Sequence, residues 1–187
     1  MKLPNILTVS RFGLTAVFML CLSVSFPGAP IAAVIFFGIA AITDALDGHL
    51  ARKVYGCSAF GKLMDPLADK VLTAAAFIGF VELHVMPAWM VTLIISREMM
   101  VTGLRLLAVD KGIVLSAGTW GKHKTIWQMV FISVVLLLRM TNWIYPIEFL
   151  ESELFRQIVL CSGGAVTALT LWSGIIYFRE NLSLFRN

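Results

Sequence analysis

The chain has 187 residues, 59% of them hydrophobic and 14% charged, with a net charge of +4 and a mean hydropathy of +0.87. Soluble domains run nearer half apolar and a quarter charged, so the balance argues against a soluble bundle and for a membrane protein. The small basic excess comes without a groove pattern of interleaved aromatic and basic residues, so no nucleic-acid partner is expected. Three cysteines, Cys21, Cys57 and Cys161, are far apart and in no ligand spacing, which excludes a disulfide framework or a zinc site and leaves them as small apolar fillers.

No linker, low-complexity run or internal repeat divides the sequence, so a single membrane domain over residues 1–187 is expected. A membrane helix needs about 20 mainly apolar residues. Lys2 precedes an apolar stretch that lacks a small-residue cleavage site, so the first helix is expected to stay. From Phe12 to Thr43 there is no charged residue. Pro27-Gly28-Ala29-Pro30 breaks that run into two helices. The first reaches back to about Pro4 and places Arg11 in its cytosolic end. The second runs from about Ile31 to Ala51, a third from Met64 to Leu83. After a turn at His84 to Pro87, a fourth runs to about Val109. Thr125 to Leu138 is the core of a fifth, and Gln157 to Phe178 is the sixth.

Six spans put both termini on one side, and charge sets which side. Lys2, Arg11, Arg52, Lys53, Lys62, Lys70, Arg105, Lys111, Lys122, Lys124, Arg179 and Arg186 fall at one set of helix ends, twelve of the fifteen Lys and Arg. Arg139, Arg156 and the acids Glu82, Glu148, Glu151 and Glu153 fall at the other. The positive-inside rule makes both termini cytoplasmic. Trp89, Trp143 and Tyr145 are expected in the far interfacial belt, and His84 at the same far interface.

Chemistry concentrates where the second helix ends and the third begins. Asp44 and Asp47 are three apart and Asp65 and Asp69 four apart, spacings that put each pair on one helical face. Antiparallel neighbours joined by a short loop bring all four carboxylates to the cytoplasmic edge. Four such charges are costly near hydrocarbon. Lys62 and Lys70 are expected to snorkel to the interface, so divalent metal is the natural compensation, and two ions of Mg²⁺ or Mn²⁺ neutralise four charges. Gly48 and Gly61 let a phosphate approach the backbone, and Arg52 can fork onto phosphate oxygens. The bland alternative is a solvated acidic loop.

The run Asp44-x2-Asp47-Gly48-x2-Ala51-Arg52-x8-Gly61-x3-Asp65-x3-Asp69 resembles the motif of the CDP-alcohol phosphotransferase family at every one of its eight fixed positions. The resemblance implies six membrane helices, usually as a homodimer, and transfer of a phosphatidyl-type group from a CDP-linked lipid to an alcohol with release of CMP. It implies metal ligation by Asp44, Asp47 and Asp65. Asp69 becomes the general base, with a possible metal contact of its own, and Gly48, Ala51, Arg52 and Gly61 lie against the CDP diphosphate. Three further stretches, Leu3 to Arg11, Arg97 to Arg105 and Gly121 to Thr125, look like the bacterial branch that uses sn-glycerol 3-phosphate. That branch makes phosphatidylglycerophosphate from CDP-diacylglycerol in the bacterial cytoplasmic membrane, with the active site facing the cytoplasm.

A phosphorylated acceptor needs a basic pocket. Arg105, Lys122, Lys124 and Arg97 are the candidates. Lys122 and Lys124 flank His123 and therefore point in different directions, and anchoring to lipid headgroups is the alternative for either. Arg97 lies within the fourth span, where a charge is functional by default. It is expected to face the bundle interior, toward the acceptor pocket, Glu98 or an aspartate. Asn5, Thr8 and Arg11 share one face of the first helix and are candidates to line the mouth of the site; capping by Asn5 with a snorkelling Arg11 is the alternative. The central motif is equally compatible with synthesis of phosphatidylserine, a phosphoinositol lipid or cardiolipin. A membrane prenyltransferase would separate its acidic motifs, and a divalent-cation transporter would favour acids near the bilayer midplane.

Overall fold

The computed structural model describes residues 3–54, 59–110 and 118–181, with side chains described for residues 9–43, 70–109 and 118–181. Apolar runs of this length satisfy their backbone groups within the segment, and the described residues form helices without a strand: α1 (Leu3–Ser23), α2 (Ala29–Val54), α3 (Ala59–Glu82), α4 (Ala88–Asp110), α5 (Thr119–Ile144), the single turn α6 (Glu148–Glu151) and α7 (Glu153–Glu180). The chain is all-α, with six long helices among those residues.

The turns form where backbone chemistry allows them. Pro27 and Gly28 occupy the centre of a tight turn in which the Ala29 amide donates to the Phe26 carbonyl at 3.0 Å. Gly28 has φ 87, a value that glycine adopts without the penalty a Cβ brings. At the end of α3, His84 takes φ 58. Its amide donates to the Val81 carbonyl at 3.0 Å and that of Val85 to the Phe80 carbonyl at 2.8 Å, the paired bonds of a Schellman cap. Ser152 caps α7, its hydroxyl accepting from the Phe155 amide at 3.2 Å.

Several boundaries differ from the sequence reading, among them the start of α7 at Glu153 rather than Gln157. α3 starts at Ala59, not Met64. α5 extends beyond its apolar core at both ends, to Thr119 and Ile144. The one-turn α6 was not expected, being too short to show a hydrophobic period.

α1 packs against α2 and α3, α4 against α3 and α7, and α5 against α2 and α7. Phe18, Phe77, Phe80, Ile94 and Ile132 are buried at the centre. Phe77 and Phe131 stack at 6.3 Å, and Phe80 meets Phe131 edge-on at 6.0 Å. The hydroxyl of Ser23 donates to Glu82 at 2.8 Å, tying the C-termini of α1 and α3 together at the end opposite the aspartate motif.

The outward faces are apolar. Leu20, Ile42, Leu107, Ile126 and Trp172 are all more than half exposed, while Arg11, Arg97, Glu98 and Lys124 are buried, the reverse of a soluble surface at these positions. Thr119–Ile144 and Glu153–Glu180 are long and apolar enough to cross a membrane, whereas the apolar parts of α1 and α2 within the residues searched are shorter, Val9–Ser23 and Ala29–Thr43. Two described helices are thus long and apolar enough to cross a membrane by length and composition.

Candidate active site

The backbone places Asp44, Asp47, Gly48, Ala51 and Arg52 on the C-terminal part of α2, and Gly61, Asp65 and Asp69 on the N-terminal part of α3. All eight positions are helical, so the three- and four-residue spacings act as helical spacings. The side chains of these residues, with those of Asn5 and Thr8, lie outside the described ones. Among the described residues no group of His, Cys, Asp and Glu is arranged to hold a metal ion.

Directly after Asp69 the described side chains begin, and they begin with a charged cluster. Lys70 of α3 does not snorkel to the interface, contrary to the expectation. Its ammonium donates to Glu98 Oε2 of α4 at 2.7 Å, with side-chain exposures of 17% and 10%. Glu98 Oε1 accepts from Arg97 Nη1 at 3.1 Å and from Lys124 Nζ of α5. Lys124 also donates to Gln128 Oε1 at 3.3 Å, and Gln128 Nε2 to Thr170 Oγ1 of α7 at 3.1 Å. Arg97 Nη2 donates to Ser173 Oγ of α7 at 2.9 Å. Donors from α3, α4 and α5 thus converge on one carboxylate, and α7 joins the cluster through Arg97 and Gln128.

Local sequence explains why the cluster closes. Arg97 and Glu98 are chain neighbours, so their Cβ atoms diverge by about 100° around α4. Arg97 turns to α7, Glu98 to α3 and α5, and the long guanidinium stem reaches back to its neighbour. Lys124 and Gln128 are four apart and share one face of α5. Gly174 makes room on α7: a Cβ there would meet Arg97 Cγ at 2.9 Å and Arg97 Nε at 3.2 Å. The Nε donor of Arg97 is buried and has no partner among the described residues.

The candidate acceptor residues therefore separate. Arg97 and Lys124 are buried within the cluster. Lys122 is exposed and is not brought into it, because residues two apart lie about 200° apart around a helix. Arg105 stands apart as well: its Nε donates to Tyr177 Oη at 3.2 Å and its guanidinium carbon lies 5.3 Å from that ring's centre. Arg11 is buried rather than snorkelling, and the Thr15 hydroxyl donates to its carbonyl at 2.8 Å.

Sequence reasoning missed Gln128, Thr170 and Ser173 as site neighbours, weighed Lys70 beside the aspartates but sent it to the interface, and treated Glu98 only as one of several partners for Arg97. Glu98 carried a signal, since a glutamate deep in an apolar helix needs a counter-charge. Gln128, Thr170 and Ser173 carried none, because uncharged polar residues are ordinary in membrane helices.

Chemically, the described cluster holds three cations and one carboxylate, an excess of two positive charges. Two ammonium groups, each with three donor hydrogens, have donors not taken up among the described residues. It begins one residue from the last aspartate of the motif.

Comparison with known proteins supplies the remaining context. The model of the family described as CDP-alcohol phosphatidyltransferase matches residues 1–171. A Bacillus subtilis protein named CDP-diacylglycerol–glycerol-3-phosphate 3-phosphatidyltransferase is 39% identical, over 96% of this chain and 95% of its own length. Proteins of the same name are 35% identical in Pseudomonas fluorescens, over 96% and 89%, and 36% identical in Salmonella paratyphi A, over 94% and 92%.

Proposed function

The chain belongs to the CDP-alcohol phosphatidyltransferase family, and from that premise we propose that it transfers the phosphatidyl group of CDP-diacylglycerol to sn-glycerol 3-phosphate. The products are phosphatidylglycerophosphate and CMP. The observation that carries this reading is similarity along nearly the whole length to enzymes named for that reaction. Similarity confined to the aspartate motif would leave the acceptor open; here it extends through α4, α5 and most of α7.

In the reaction, a hydroxyl oxygen of glycerol 3-phosphate bonds to the lipid-bearing phosphorus, and the bond from that phosphorus to CMP breaks. Asp69 takes the hydroxyl proton as general base. It lies one turn beyond Asp65 along α3, toward the lipid diphosphate. Asp44, Asp47 and Asp65, with Asp69 at the edge, suit hard divalent cations by donor chemistry, and two ions of Mg²⁺ or Mn²⁺ balance four carboxylates. Bound there, such ions would stabilise charge on the departing CMP. Gly48, Ala51 and Gly61 keep the approach to the diphosphate open, and Arg52 forks onto its oxygens.

Arg97, Lys124 and Lys70 hold the acceptor's own phosphate. Their excess of two positive charges suits a phosphate monoester dianion better than serine, a zwitterion with a single carboxylate. Arg105 stands nearer the helix end as a second contact on the acceptor's path, with Lys122 at the headgroup surface. All six long helices span the bacterial cytoplasmic membrane as one domain over residues 1–187. Both termini and the aspartate end face the cytoplasm, where CMP leaves, and the unit is a homodimer.

An acceptor panel tests the reading. Purified protein with CDP-diacylglycerol and Mg²⁺ or Mn²⁺ is expected to release CMP with glycerol 3-phosphate and not with serine, inositol phosphate or phosphatidylglycerol. Inert glycerol 3-phosphate beside an active serine would move the chain to another branch. Absence of CMP release with every acceptor would remove it from catalysis altogether.

A further inference from the structure

We propose that Glu98 is a positioning residue for the acceptor: it fixes the spacing and trims the charge of the three cations that bind the phosphate of glycerol 3-phosphate. The inference rests on the acceptor pocket assigned above and deepens it. Glu98 is 7% exposed, and both carboxylate oxygens are engaged, Oε2 by Lys70 at 2.7 Å and Oε1 by Arg97 at 3.1 Å and by Lys124. No other acid among the described residues forms an ion pair with any of the three.

Two consequences follow from the geometry. The first concerns position. Lys70, Arg97 and Lys124 come from three helices and have flexible stems. Without an anion among them they repel, and each has an escape route by snorkelling along its stem. A shared carboxylate holds all three within reach of one point and leaves donor hydrogens on both ammonium groups unspent. The second concerns charge. Three cations less one carboxylate leave an excess of two, equal and opposite to a phosphate monoester dianion. A larger excess would favour more highly charged anions, and a smaller one would favour monoanions.

Coulomb attraction alone predicts the opposite sign, because removing Glu98 raises the pocket's charge. Preorganisation is expected to win, since a buried cluster of three uncompensated cations does not stay assembled.

Kinetics of Glu98→Gln and Glu98→Asp in the purified full chain decide this. Glu98→Gln is expected to raise KM for glycerol 3-phosphate at least tenfold while KM for CDP-diacylglycerol stays within twofold. Glu98→Asp, which keeps the charge, should recover most of the loss. Inorganic phosphate, competing with glycerol 3-phosphate, should lose inhibitory potency in Glu98→Gln by the same factor. A merely structural role would move both KM values together or lower only the yield of folded protein. An unchanged or lower KM for glycerol 3-phosphate overturns the proposal, the latter by showing that the carboxylate competes with the phosphate. Should Glu98→Gln not fold, Glu98→Asp alone decides, through a selective rise of about threefold against none. A wild-type protein inert to glycerol 3-phosphate would instead defeat the acceptor assignment itself, so the two failures are distinguishable.

Discussion

Two charged regions meet on α3, and they handle their charge in opposite ways. The motif end of α2 and α3 sets four carboxylates of one sign within 26 residues, with Arg52 the only fixed cation of the motif. In the proposed function its balance comes from ions or substrate. The Glu98 cluster beyond it draws three cations from three helices and supplies its own anion, so it stands assembled in the protein alone. The cluster has to be so built: a charge deep between helices is paired by the chain or it costs several kcal/mol. The first region is therefore expected to respond to added ligands, and the second to changes in its own members.

The largest expected effect lies at the motif. Asp65→Asn removes one carboxylate oxygen from the proposed ligand set, and kcat should fall by about 10³-fold or more, since a positioned ion contributes several kcal/mol to the transition state. Asp69→Asn should lose about 10²- to 10⁴-fold, the range of a general base. Chelation of divalent ions should abolish CMP release and restoring Mg²⁺ or Mn²⁺ should return it. Near-full turnover by Asp69→Asn beside a dead Asp44→Asn would strip Asp69 of the base role.

The next effect lies in the cluster and is selective rather than total. Lys124→Met keeps the stem's apolar volume and removes one buried charge-assisted contact, of the order of 1.5–3 kcal/mol. That corresponds to a rise of roughly 10- to 100-fold in KM for glycerol 3-phosphate, with kcat changed far less. Lys122→Met, two residues away and exposed, should stay within about twofold. Equal losses in the two variants would mean that α5 contributes general surface charge and not a pocket.

The same contrast explains what the sequence disclosed. The motif was legible because it is local: its members lie three and four residues apart on consecutive helices, where period alone predicts a shared face. The long helices were legible for the same reason, through uninterrupted apolar runs closed by Pro27-Gly28 and His84-Pro87. The Glu98 cluster was not, because Lys70 and Glu98 are joined only by packing between α3 and α4, and Gln128 and Thr170 only by packing between α5 and α7. No period in the chain encodes which pair of helices touches. Lys70 was misplaced on a rule about stems reaching water, which fails once a carboxylate lies nearer than the interface does. The sequence reading began α3 at Met64, where the apolar run resumes after Lys62, whereas the helix begins at Ala59.

The smallest expected effect tests whether the cluster's geometry matters beyond its charge. Gly174→Ala adds no charge and removes no hydrogen-bonding group, and alanine is the better helix former by about 1 kcal/mol. Its new methyl would nevertheless stand 2.9 Å from Arg97 Cγ and 3.2 Å from Nε. Arg97 is held at its far end by Glu98 and Ser173, so the stem can yield only by loosening one of those bonds. The propensity gain and the overpacking cost, about 1–3 kcal/mol, partly offset each other, leaving thermal stability within a few degrees of wild type. The displaced guanidinium should still raise KM for glycerol 3-phosphate about threefold, with KM for CDP-diacylglycerol unaltered. A variant more stable than wild type with both KM values unchanged would mean that α7 simply moves aside, and that Arg97 needs no fixed place to serve the acceptor.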